Sequence, residues 1–563
     1  MKLTELIDVA AGRRPGSILI KGGRVVNVRS GEIFEADVLI YGDRIAAVGK
    51  HNFEAEKVID VEGMLVMPGF IEGHIHIESS MMTPRKFAEA VVVHGTTTVI
   101  ADPHEIANVM GLEGIHFMIN DSKDLPVDIY FMAPSCVPSS NLETSGAWLT
   151  AAELQKLNFE PKVIGLAEMM DFPGVIAAKS EVIERLETFE LRDGHAPLLS
   201  GRNLNAYIAA GIYSDHECVS KAEALEKLRL GMQIMIREGT AAQNLDELIG
   251  LVDDKNWPFF SLVSDDLHPS TIVERGHLNA LVKKAVERGV PLVNAIRMVS
   301  INTARYFRLH DRGEIVPGKL ADIVIADELP EIVHVIKSGK MVVENTELIT
   351  PVPPAERRKV GRMLLKPSLE PLKVPARSGE IRVIVAKEGT LITDLMLAKP
   401  KVLDGLVVSD TDRDILKVSV WERHKGTGNV GVGFVHGFGL KRGAIASSVA
   451  HDSHNIVAIG TNDNDMVKAV EILKELGGGL VVVDGEKITK LPLPVAGLMT
   501  DTDVHELASN EKKLTEAAKA LGCAMNNPFM TMSFLALPVI PHIKLTDKGL
   551  VDVDQFKFVS LWL

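Results

Sequence analysis

Residues 70–77 read FIEGHIHI. Phe70, Ile71, Ile75 and Ile77 mark a short apolar strand, and His74 and His76 stand at its end. Side chains two apart on a strand share a face, so both imidazoles point the same way and can grip one metal ion. Seven further stretches repeat the arrangement of a short apolar strand ending in polar residues. They are TTTVIADP (96–103), DIYFMAPS (128–135), KVIGLAEM (162–169), LRDGHAP (191–197), AGIYSDH (210–216), MQIMIRE (232–238) and PFFSLVSDD (258–266). Amphipathic stretches such as PRKFAEAVVVHG (84–95), SEVIERLETFE (180–190) and ALEKLRLG (224–231) separate most of them. Strands alternating with helices over residues 70–309 predict an α/β fold, a (β/α)8 TIM-like barrel. Active sites of such barrels lie at the C-terminal ends of the strands, where the polar residues here collect.

On either side the texture changes. SILIKGGRVVNV (17–28), ADVLIYGDRIAAVG (36–49) and KVIDVEGMLVMPG (57–69) are β-branched runs punctuated by Gly and Asp, and short strands return in residues 313–345. We expect residues 1–69 and 310–350 to build one small β-sandwich domain from both flanks of the barrel. A Pro-rich, basic stretch at 351–378 reads as a linker. Residues 379–563 mix strands, Gly-rich turns and two helical patterns (464–478 and 510–522), which predicts an additional C-terminal α+β domain. A chain of 563 residues is long enough for several such units.

Composition narrows the partners. Lys plus Arg number 61 and Asp plus Glu 75, a formal charge of −14, and no basic stripe appears. That argues against a nucleic-acid partner, since phosphate binding needs concentrated Lys and Arg. Cys136, Cys218 and Cys523 are far apart and odd in number, which fits a reducing, cytoplasmic setting without a disulfide framework. The first residues lack the apolar core of a signal peptide, and no run of eighteen apolar residues exists, so we expect no membrane association.

The chemistry gathers at strand ends. Glu168 ends the fourth strand, His195 the fifth, His216 the sixth, and Asp265 and Asp266 the eighth. Singly, each has a dull explanation as a solvated or hydrogen-bonded rim residue; together with His74 and His76 they make a ligand set. Imidazole and carboxylate suit Zn, Mn or Fe. Asp265 is preferred to Asp266 as the ligand because it comes first after the strand. Glu78 and Ser79 follow the histidine pair, where they touch a substrate or cap the next helix. Arg202 and Asn203 lie after the fifth strand and are further substrate candidates. His104, after the second strand, is a candidate polar contact at the reaction or a surface-loop histidine. His451 and His454, in AHDSHN (450–455), form a second metal site, close over the barrel, or make a structural turn, the last being favoured. The Met cluster in AMNNPFMTMSF (524–534) reads as core.

These residues resemble the amidohydrolase superfamily, in which two histidines come from strand one, one each from strands five and six, and an aspartate from strand eight. GEIVPGKLADIV (313–324) matches that superfamily's flanking β signature. Many members carry a carbamylated lysine on strand four; Glu168 stands in that place here. GHIHIESSMMTP (73–84), TTTVIADPHEIANV (96–109), GLAEMMDFPGV (165–175), SGRNLNAYIAAGIYSDHE (200–217), VSDDLHP (263–269) and the C-terminal segments 437–463 and 527–546 are similar to the adenine deaminase branch. The resemblance spans nearly the whole chain.

The resemblance implies hydrolysis of adenine to hypoxanthine and ammonia, in purine salvage, by a homo-oligomer. It also implies two divalent metal ions, Mn or Fe before Zn: one on His74, His76, Glu168 and Asp265, the other on Glu168, His195 and His216, with a hydroxide between them. Asp265 would act as general base, beside Glu168 and His104. The alternatives are another deaminase or cyclic amide hydrolase of the superfamily, such as a dihydroorotase, which would favour a strand-four lysine, and a non-catalytic scaffold, which would have lost ligands.

Overall fold

The computed structural model describes residues 2–240, 242–353 and 359–563. All eight expected barrel strands are present: β1 (Phe70–Ile75), β2 (Thr96–Ala101), β3 (Asp128–Ala133), β4 (Val163–Met169), β5 (Arg192–Gly194), β6 (Ser214–Asp215), β7 (Gln233–Arg237) and β8 (Phe260–Val263). They pair in parallel as two arcs, β1 to β5 and β6 to β8. β1, β2 and β8 are buried along their whole lengths and β3 and β4 over most of theirs, as expected where helices cover a parallel sheet outside and side chains fill it inside. The arcs meet where the Gly194 amide donates to Ser214 Oγ at 3.0 Å, and where Asp265 bridges Ile75. At the second seam Asp265 N–H donates to His74 O (3.0 Å) and His76 N–H to Asp265 O (3.2 Å). That seam sets the end of strand eight against the histidine pair of strand one.

The flanking sheet has nine strands drawn from both sides of the barrel, joined where Ile323–Ala326 runs antiparallel to Leu65–Pro68. Alternation along Gly16–Asn27 sends Ile18, Ile20 and Val25 to one apolar cluster. Leu19 goes to the opposite face, under a helix at Leu3–Ala10 that buries Leu6 and Val9. The buried apolar residues of this helix are too few to announce it in the sequence.

The C-terminal residues form an eight-stranded sheet, in the order Asp394–Ala398, Ile381–Val385, Val430–His436, Leu416–Trp421, Ile456–Gly460, Ala444–Ser447, Gly479–Asp484, Lys487–Pro492. The helix Asp463–Leu476 is capped by Asn462, which accepts from the Asp465 amide, and it ends at Gly477, whose φ of 82° suits glycine. It buries Met466, Val470 and Leu473 against the sheet. The stretch expected to be a linker behaves otherwise where it is described: Leu365 and Leu372 are buried in that same core. Two apolar residues spaced among prolines and lysines gave no periodic signal. Residues 354–358 of that stretch lie outside the described ones.

This C-terminal unit is not held apart from the barrel. One apolar cluster runs from Ile75 and Phe87 through Met82 into Leu498, Met499 and Met532. Thr83 Oγ1 donates to Asp501 (2.7 Å), His268 pairs with Glu511 (2.6 Å), and the Thr144 amide and hydroxyl both donate to Asp547 (2.8 and 2.7 Å). The loop after β3 carries Glu143 into this seam. Its Oε1 accepts from Ser139 (3.3 Å), while Oε2 is buried without a hydrogen bond. Burial first, then Asp452 and Asp547 nearby, push its carboxyl up to about 8. In the unfolded chain the group ionises near its ordinary ~4.5. Between those values the folded protein holds a proton that the unfolded chain has lost, so stability falls as pH rises through that window, by at most ~1.4 kcal/mol per pH unit. Glu143→Gln is therefore expected to match the wild type in thermal unfolding near pH 5 and to exceed it near pH 8.5. Equal midpoints at both pH values would show that the carboxyl ionises freely in the seam.

Candidate active site

At the C-terminal ends of the barrel strands, six side chains converge. His74 Nδ1 faces Asp193 Oδ2 at 3.3 Å, and its Nε2 is buried without a hydrogen-bond partner, 3.7 Å from Asp265 Oδ1. His76 Nδ1 donates to the carbonyl of Asp102 (3.1 Å), which leaves Nε2 3.3 Å from Glu168 Oε1 and 3.2 Å from Asp265 Oδ1. Holding one ring nitrogen with a carboxylate or carbonyl fixes the tautomer and frees the other lone pair for a metal. The expected same-face pairing of His74 and His76 is thus present, and both rings reach one carboxylate oxygen.

Glu168 stands at the centre. Oε1 faces His76 and, at 3.5 Å, His104 Nδ1; Oε2 faces His195 Nδ1 at 2.6 Å and His216 Nε2 at 3.2 Å. Each carboxylate oxygen therefore addresses a different group of histidines. Donor atoms within 4.8 Å of one another form the sets His74–His216–Asp265 and Glu168–His195–His216. Another set joins His76, Asp102, His104 and Glu168. Imidazole nitrogens and carboxylate oxygens around an orphaned, buried His74 Nε2 are the donor chemistry of a first-row divalent ion, so the residues fit a metal.

The charges are arranged to keep these carboxylates ionised. Burial disfavours the charge on Asp265, but the Arg237 guanidinium, hydrogen-bonded to Oδ2, and His76 hold it well below the usual carboxylate range. Burial likewise opposes ionisation of Glu168, and His195, His216 and His76 outweigh it. Asp265 has a φ of 60°, which is rare outside glycine and here coincides with a residue whose orientation matters. Asp266 accepts a hydrogen bond from Ser79 Oγ and keeps a donor oxygen within 4.8 Å of His76 and Asp265. Behind the cluster, the buried Lys227 binds Asp215 Oδ2 (3.0 Å) and the Ala196 carbonyl (2.6 Å), pinning the segments that carry His216 and His195.

The remaining candidates fall into two groups. Glu78 is buried beside the cluster: Oε1 accepts from the Ile106 amide (3.1 Å), Oε2 has no partner, and burial lifts the carboxyl to about 7. His104 is not a surface-loop residue but is buried, with Nδ1 2.9 Å from Asp102 Oδ2 and Nε2 3.4 Å from Glu105 Oε1. Arg202 and Asn203 are exposed in the first turn of the helix Gly201–Ala209, and no hydrogen bond among the described residues joins them to the cluster. Polar residues opening an amphipathic helix face water here.

Sequence reasoning missed Asp102, Asp193, Arg237, Glu105 and Glu217. Arg237 is the last residue of β7, at the barrel rim; it also binds Glu217. Glu105 is held by both His451 Nδ1 and His454 Nε2 of the C-terminal sheet domain. The spacing of these two histidines favours a structural turn. They sit instead over the barrel mouth, where the cis His451–Asp452 peptide bond also lies.

Residues 65–342 match the amidohydrolase family model, and residues 390–557 match the adenine deaminase C-terminal domain. The chain is 46% identical to an adenine deaminase of Desulfatibacillum aliphaticivorans over 566 residues, covering 99% of each chain. It is 46% identical to adenine deaminase 2 of Carboxydothermus hydrogenoformans over 569 residues, covering 100% of both. An adenine deaminase of Thermosipho africanus is 45% identical, again over 100% of both chains. The chain belongs to the adenine deaminase family of the amidohydrolase superfamily.

Proposed function

We propose that the chain hydrolyses adenine to hypoxanthine and ammonia. The observation that carries this is Glu168, a buried carboxylate whose two oxygens face separate histidine groups at the barrel rim, in a chain whose full-length relatives are named adenine deaminases. His74, His76, Glu168 and Asp265 would hold one divalent ion and Glu168, His195 and His216 a second, with manganese or iron favoured over zinc. Bound metal lowers the pKa of water from ~15.7 toward ~7 and so supplies a nucleophile at neutral pH.

The chain's own groups do the rest. Asp265, fixed by Arg237 through Oδ2, turns Oδ1 toward the histidine pair. There it takes the proton of the attacking water and passes it to the departing amino group. Glu168, with an oxygen toward each group of histidines, would hold metal through both oxygens and so takes no proton. Glu78, with an unpaired buried oxygen, holds a ring nitrogen, with Ser79 beside it. His104, gripped at both nitrogens by Asp102 and Glu105, positions the cluster.

We divide the chain into a composite β domain (1–69 with 310–350), a barrel (70–309) and a C-terminal domain (379–563), with Leu365 and Leu372 of the connecting segment packed on the last. No helix among the described residues is long and apolar enough to cross a membrane. The three buried free thiols suit the reducing cytoplasm, where recovery of a purine base belongs, and the family resemblance carries a homo-oligomeric assembly.

A substrate panel tests the reading. Metal-loaded protein should convert adenine to hypoxanthine with one ammonia per purine, and should leave dihydroorotate and other cyclic amides intact. Turnover of a cyclic amide without turnover of adenine would replace this function with that of an amide hydrolase.

A further inference from the structure

A cavity at the barrel mouth has a floor and a roof from different parts of the chain. Ser79 and Met81 of the barrel line one side; Val449, His451, Phe529 and Met530 of the C-terminal domain line the other. It lies beside the metal-ligand cluster. Ser79 bonds Asp266, the neighbour of Asp265, and His451 bonds Glu105, whose Oε1 is 3.4 Å from His104. Its lining is mostly apolar with few polar groups, the character of the walls around small heteroaromatic ligands.

His451 is held as a plate at the edge of this cavity. Its ring stacks on Phe534, with centroids 5.1 Å apart and planes 12° from parallel. Nδ1 is taken by Glu105, whose other oxygen is fixed by His454. Nε2 has no hydrogen-bond partner among the described residues, although the side chain is 93% buried. A ring locked on one face and at one nitrogen, with the other nitrogen free at a cavity, is organised to receive a ligand.

We propose that His451 of the C-terminal domain is a substrate-recognition residue, its Nε2 contacting a ring nitrogen of the purine base while Phe529 and Met530 cover the ring. The inference rests on the deaminase reading and adds to it a role for the C-terminal domain: specificity for the base. Burial opposes a charge on His451, but Glu105 beside it raises its pKa to about 9. At neutral pH Nε2 then carries a proton and donates to a ring nitrogen with a free lone pair. The contact is charge-assisted, and losing it weakens binding about tenfold or more.

Two isosteric variants separate recognition from docking. In His451→Asn the side-chain amide reaches the Nδ1 position, keeping the bond to Glu105 and removing Nε2. In His451→Gln it reaches the Nε2 position and gives up Nδ1. With manganese-loaded full-length protein, His451→Asn should raise KM for adenine, and Kd for hypoxanthine in equilibrium dialysis, about tenfold or more. Its metal content and Tm should match the wild type, and kcat should change less than about threefold. His451→Gln should bind the bases better than the Asn variant. Met530→Trp, which narrows the cavity, should weaken base binding at unchanged metal content. A wild-type KM in His451→Asn would make the residue a docking group and overturn the proposal. Wild-type protein that binds bases but releases no ammonia would sink the deaminase reading alone, the variants' binding still deciding this contact. Wild-type protein that neither binds bases nor releases ammonia would overturn both.

Discussion

Asp265→Asn is expected to lower kcat for adenine by ~10³, within the 10²–10⁴ span of general acid–base catalysis. The substitution is nearly isosteric and leaves an oxygen that can face His74 and His76, so metal content at saturating manganese should fall little. What it removes is the ability to take a proton. The wild-type carboxylate is kept ionised against its burial by Arg237 and His76, and therefore has its acceptor lone pairs available throughout the neutral range. An amide in that place also leaves Arg237 paired only with Glu217, so a modest loss of thermal stability should accompany the loss of rate. Steady-state kinetics with metal analysis of the same sample checks this. A rate within about tenfold of the wild type, with both metals bound, would remove Asp265 from the base role.

Glu168→Gln is expected to do more harm, by a different route. The carboxylate serves two groups of histidines through two equivalent oxygens, with His195 2.6 Å from one and His76 3.3 Å from the other. An amide offers one oxygen and replaces the second with an N–H donor, which repels a cation and cannot accept from an imidazole. It also removes a negative charge that two bound dications would need. Metal content should fall from two equivalents to one or fewer, and adenine turnover by ~10³ or more. Retention of two tightly bound ions in Glu168→Gln would show that the carboxylate is not the bridge.

Much of this was legible in sequence because strand geometry is local. His74 and His76 share a face by period alone, and the ends of eight apolar runs predicted where Glu168, His195, His216 and Asp265 stand. The seam that brings Asp265 against the histidine pair follows once the barrel closes. What stayed hidden depends on partners that only the tertiary fold supplies. Asp193 and Asp102 orient His74 and His76 from other parts of the barrel rim, and Arg237 reads as the polar end of an ordinary strand unless Asp265 stands beside it. Glu105 and His451 are 346 residues apart in sequence, and no pattern announces such a pair. Arg202 and Asn203 show the converse: polarity after a barrel strand marks a helix start as readily as a site. Leu365 and Leu372 were masked by a composition that reads as linker, though each is buried.

The most direct test of the central claim is a metal titration. Protein stripped with a chelator should release no ammonia from adenine, and manganese added back should restore it in proportion to occupancy, reaching a plateau at two equivalents per chain. Full activity in the stripped protein, or a plateau with both ions bound and no ammonia formed from adenine, would contradict the account.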